Sequence, residues 1–116
     1  MMDTTTIAPR APTTTAFPVA AVETCLRGEL IDTIMAEAEI RGETLPDTPA
    51  ALAKAAVSID SLVVVSILCA IEPIVGFELP ESVVRAGGYR SVEGALGHLM
   101  PRIEQLWIKR KEPSYD

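Results

Sequence analysis

Asp60-Ser61-Leu62-Val63-Val64-Val65-Ser66-Ile67-Leu68-Cys69-Ala70-Ile71-Glu72-Pro73-Ile74-Val75 holds the longest apolar run of the chain, Leu62 to Ile71, broken only by Ser66. Its valines suit an extended strand, because β-branched side chains favour that backbone. Length argues the other way: the apolar character persists to Val75, beyond a typical buried strand, and predicts a helix. Asp60 and Ser61 are both good capping residues for its start. Pro73 should kink or end it, since proline lacks a backbone donor and its ring clashes with the carbonyl of Cys69. The run is too short to cross a bilayer.

Upstream, Val22, Cys25, Leu26, Leu30, Ile31, Ile34, Met35 and Ala38 recur at three- and four-residue steps. Glu23, Arg27, Asp32 and Glu37 occupy the opposite face, which predicts an amphipathic helix with Gly42 as its stop. The connection from Glu43 to Ile59 is long for a compact domain. Within it, Ala50–Ala56 can form a short helix with Thr48 as cap and Pro49 at its first position. Downstream, Pro80-Glu81 predicts a further short helix closed by Gly87-Gly88. Ser91 then caps a last helix carrying Val92, Ala95, Leu96, Leu99 and Ile103 on one face. Pro101 leaves Arg102–Trp107 as a kinked continuation or a separate turn, with Trp107 covering the bundle end. The expected fold is all-α, a small four-helix bundle of three longer helices and one short one. Residues 1–20, rich in Thr, Pro and Ala, read as a flexible tail, 21–108 as the domain and 109–116 as a second flexible tail.

The chain has 116 residues, enough for one domain, and a net charge of −6 that repels phosphate backbones and argues against nucleic-acid binding. Aromatic residues are only 4% of the sequence, too few for base-stacking platforms. No secretory signal is visible, so the expected location is cytoplasmic and the expected state a monomer without membrane insertion. Cys25 and Cys69 fall in apolar stretches and read as small buried hydrophobes. His98, the sole histidine, reads as a solvent-edge residue and not as a base. No Gly-x-Ser-x-Gly elbow, phosphate-binding glycine loop, dinucleotide fingerprint or metal-ligand spacing appears, so the chain does not read as an enzyme.

Asp60-Ser61-Leu62 at the head of an apolar helix after a long loop is, alone, no more than an ordinary helix cap. Three further marks stand in register behind it. Ile71-Glu72 lie ten and eleven residues after the serine, Leu79-Pro80 eighteen and nineteen after it, and Ser91-Val92 open the last helix. Together they resemble the acyl carrier and peptidyl carrier protein family, over about Val22 to Ile103. The resemblance implies that Ser61 carries 4′-phosphopantetheine, transferred from coenzyme A by a phosphopantetheinyl transferase. The thiol of that arm would hold an acyl or aminoacyl group as a thioester. Asp60 would help the transferase engage the site, and Leu62 would anchor the helix start and meet partners. Those partners would be a loading ligase and a downstream synthase or transferase of a biosynthetic pathway.

The chain departs from the family pattern in ways that narrow this reading. Ser58 stands where the family usually has glycine. The second-helix positions that are acidic in fatty-acid carriers are here Val63, Ser66 and Pro73, with only Glu72 charged. Val63, Val64, Ser66 and Glu72 are the expected partner contacts, through an apolar and not a salt-steered surface, unless the long loop buries the two valines. Gly87-Gly88-Tyr89 lengthens the link to the last helix, a trait of stand-alone carriers of specialised pathways. The competing reading is an unmodified helical interaction module that docks a partner through this apolar helix, with Ser61 only a cap.

Overall fold

The computed structural model describes residues 16–111. Among them are four α-helices, α1 (Val19–Arg41), α2 (Pro49–Lys54), α3 (Ser61–Val75) and α4 (Val92–Lys111), with a 3₁₀ turn at Glu81–Val83. The long helices are α1, α3 and α4, and no strand forms among the described residues. α1 is the shared neighbour, packed against both α3 and α4, while α2 and the 3₁₀ turn lie on α4.

Each long helix buries one stripe. Val22, Leu26 and Leu30 of α1 meet Val64, Leu68 and Ile71 of α3 and Val92, Leu99 and Ile103 of α4 in one core cluster, almost wholly out of solvent. Each such aliphatic side chain contributes about 1.5–3 kcal/mol. The strand reading of the valine run fails here because Val64, Ile67, Leu68, Ile71 and Val75 recur at helical, not alternating, steps on the buried side. Gly42 ends α1 in the left-handed conformation, φ 71°, its N–H reaching the carbonyls of Ala38 and Glu39. Thr48 caps α2, its Oγ1 accepting from the Ala51 N–H at 3.2 Å, with Pro49 in the first turn.

Several elements differ from the sequence expectation. Pro73 neither kinks α3 to a stop nor ends it: the helix continues to Val75 and stops at Gly76, which adopts φ 89°. Pro73 is exposed, so the carbonyl that loses its donor faces water. Of the two arrangements expected at exposed Pro101, α4 takes the continuation: Arg102–Trp107 belongs to one helix. The segment after Pro80 is only a 3₁₀ turn ended by Val84, not a helix reaching Gly87-Gly88. Its carbonyls at Ser82 and Val83 accept from the Arg102 guanidinium of α4, both at 3.1 Å. The one short α-helix is therefore α2. Helix extends two residues into the expected N-terminal tail, at Val19 and Ala20, and through Lys111 at the other end. Residues 1–15 and 112–116 lie outside the described residues. Phe17 meets Trp107 edge-on with ring centroids 5.9 Å apart, so Trp107 does cover the bundle end.

Beyond α2, the long loop is held by backbone hydrogen bonds. Ile59 N–H donates to the Tyr89 carbonyl at 2.8 Å and Tyr89 N–H donates back to Ile59 at 2.9 Å. Val57 N–H extends the contact to the Arg90 carbonyl at 2.8 Å. Gly88 makes this approach possible: a Cβ there would stand 2.0 Å from the Ile59 oxygen and 3.1 Å from the Ser61 nitrogen, and its φ is +81°. Gly88→Ala should therefore destabilise the fold by at least about 1–3 kcal/mol, the scale of backbone strain alone. Urea unfolding checks this, with Gly97→Ala, where a Cβ meets open space, as the tolerated control.

Candidate functional site

Ser61 is the first residue of α3, immediately after the residues pinned by the Ile59–Tyr89 pairing. The capping function belongs to its neighbour. Asp60 has extended backbone, and its Oδ1 accepts from the Leu62 N–H at 2.7 Å. The half-buried Ser61 is thus relieved of capping, and among the described residues its hydroxyl has no hydrogen-bond partner. Val64 N–H already bonds the Asp60 carbonyl. Among the described residues, the N–H groups of Ser61 and Val63 have no backbone acceptor and remain as first-turn donors, a setting that favours an anion.

The expected contact residues separate in space. Leu62 is 73% exposed beside the serine and Ser66 is exposed, whereas Val64 is fully buried. Val64 is therefore a core residue and not a surface contact, because its position shares the stripe of Leu68 and Ile71. Val63 is half-buried and packs on the core from its edge. Glu72 is half-buried, and its Oε2 accepts from the Leu79 N–H at 3.0 Å, which ties the end of α3 to the following loop. The exposed stripe is Leu62, Ser66, Cys69, Ala70 and Pro73, spaced to share one helix face and without a charge. Cys69 is thus exposed and Cys25 half-buried, not the fully buried pair expected, and both are free thiols. Burial, and then the nearby Glu29, push the Cys25 thiol above its ordinary range.

A buried polar contact invisible in the sequence supports the loop from behind. Tyr89 is 2% exposed, and its hydroxyl accepts from the Arg85 N–H at 2.9 Å. The same hydroxyl lies 2.7 Å from Nδ1 of His98, in a hydrogen bond whose donor is set by the histidine tautomer. His98 is accordingly half-buried and engaged, not a free solvent-edge residue. The Arg85 guanidinium stacks 5.2 Å above the Tyr89 ring. No sequence signal marks this pairing, because tyrosine and histidine sit nine residues apart across the turn into α4. Burial, and then the charges of Arg85 and Arg102, hold the His98 pKa below the ordinary histidine value. Among the described residues, no group of three or more His, Cys, Asp or Glu converges on a point that could hold a metal.

Asp60→Ala should cost about 0.5–2 kcal/mol as a lost cap, whereas Ser61→Ala should leave the urea midpoint unchanged. Because the folded His98 binds its proton less well than the unfolded one, its contribution is full above the unfolded pKa of about 6.5. It is lost as pH falls from there through the folded value. Unfolding titrations should show this loss, and His98→Gln should remove that part of the pH dependence. No family model matches the chain, and neither curated proteins nor solved structures provide a match to it.

Proposed function

We propose that this chain is a carrier of the acyl and peptidyl carrier kind, in which Ser61 bears 4′-phosphopantetheine and presents an acyl or aminoacyl thioester to partner enzymes. The observation that carries this reading is the division of labour at the head of α3. Asp60 makes the capping bond, so the Ser61 hydroxyl is free of the function that an ordinary cap would give it. The unpaired first-turn N–H groups provide a favourable environment for the phosphodiester formed there.

In the transfer, Ser61 Oγ forms a bond to the phosphorus that joins pantetheine to the nucleotide half of coenzyme A. The pyrophosphate P–O bond breaks, adenosine bisphosphate leaves, and the hydroxyl proton passes to the transferase. The arm supplies a thiol for thioester formation. The chain's own residues hold the attachment point: Asp60 fixes the first turn, and the Ile59–Tyr89 pairing fixes the approach of the loop. Leu62 and the uncharged stripe behind it would meet the transferase, a loading ligase and a downstream synthase or transferase. This surface favours a dedicated partner of a specialised pathway over the salt-steered enzymes of fatty-acid synthesis. Among the described residues, no helix is long and apolar enough to cross a membrane.

Co-expression with a broad-specificity phosphopantetheinyl transferase, followed by intact-mass measurement, tests the proposal. The expected result is a mass gain of one phosphopantetheinyl group, absent in Ser61→Ala. No gain, or a gain that survives the substitution, would favour the unmodified interaction module instead.

A further inference from the structure

A second surface lies between the C-terminal half of α1 and the loop that follows it. Ile31 and Met35 of α1 face Leu45, Pro46, Pro49 and Leu52 across an open groove. Met35 is 51% exposed at its edge. Methionine at an open apolar surface gives a flexible, polarisable contact that adapts to a bound side chain. The remaining ionisable side chains of the groove are all acidic: Asp32, Glu39, Glu43 and Asp47. None of these four pairs with a cation among the described residues, although Glu23 and Glu37 on the same helix each hold an arginine.

An apolar floor within an unneutralised acidic rim selects its occupant. Anionic lipid surfaces and nucleic acids are repelled by the four carboxylates. Among residues 1–15 Arg10 is set against Asp3, and residues 112–116 carry Glu112 and Asp116, so neither of these segments complements the rim, while Lys109 and Arg110 belong to α4. Ile31 to Glu39 spans roughly 12 Å of helix, about two turns. Asp32 and Glu39 stand one heptad apart on one side of it, and Glu43 and Asp47 come from the loop on the other. We propose that this groove docks an amphipathic helix of a partner protein, with its apolar side against Met35 and Leu45 and lysines or arginines flanking it. This is helix-in-groove recognition with charge complementarity at the rim. It is separate from α3 and does not depend on Ser61 carrying anything.

The full chain, labelled for amide NMR, is titrated with an 18-residue Leu/Lys peptide designed as an amphipathic helix. The controls are a peptide of the same composition with its register scrambled, and a Leu/Glu counterpart. Shifts should map to Ile31–Glu39 and Leu45–Leu52 for the amphipathic Leu/Lys peptide alone, and added salt should weaken them. Met35→Ser should reduce affinity about tenfold, as removal of an apolar contact that becomes buried on binding does. Glu39→Lys, which keeps the apolar lining, should do the same and serves if Met35→Ser lowers the unfolding midpoint. The proposal is overturned if the scrambled peptide binds equally well or if shifts map to the Leu62 stripe. It is also overturned if neither variant changes affinity, or if the groove is already filled by a second copy, seen as concentration-dependent mass.

Discussion

Everything around Ser61 depends on two stretches of non-helical backbone lying against each other. Ile59 and Tyr89 exchange hydrogen bonds in both directions, and Gly88 lets them come that close. Without this pairing, the long connection between α1 and α3 would be attached mainly through α2, and the residues before Ser61 would lose their fixed approach. The Tyr89 side chain reinforces the same point from the interior through Arg85 and His98. One residue therefore ties the head of α3 to the start of α4 by main chain and by side chain.

α3 itself has two unlike sides. Its inner stripe is part of the core, and its one charged residue, Glu72, is committed to the Leu79 N–H. This gives the marks read in the sequence a physical meaning. Ile71 is wholly buried, Glu72 accepts from the loop, Leu79 is buried and Pro80 leads into the 3₁₀ turn. Ser91 Oγ accepts from the Gly94 N–H at 2.9 Å and caps α4. These pairs stand in register because they build the frame. Their chemistry is architectural, and only the Asp60-Ser61-Leu62 step speaks to what the frame presents.

The helices were legible because burial imposes a period on the sequence: Val22, Leu26, Leu30 and Ile34 announce α1, and Gly42 announces its end. Thr48 and Pro49 were equally plain, since a cap acts over three residues. The prolines were less decisive, because neither ends its helix. Pro73 and Pro101 face solvent, where water can replace a lost backbone bond, and sequence alone does not show which side a proline faces. Val64 stands two residues from exposed Leu62, about 200° round the helix, and so falls on the buried side. The Ile59–Tyr89 pairing and the Tyr89–His98 contact had no pattern to betray them. Each joins irregular or distant positions, and a single pair has no period.

The uncharged outer stripe of α3 has a kinetic consequence. A protein that meets this face would gain little attraction from the stripe itself, and any long-range steering would come from the rest of the chain, whose net charge is −6. Discrimination between right and wrong partners must come from how long each complex lasts, set by the fit around Leu62 and the small residues behind it. A surface of this kind selects by residence time, and a partner held nearby by other means would gain the most from it.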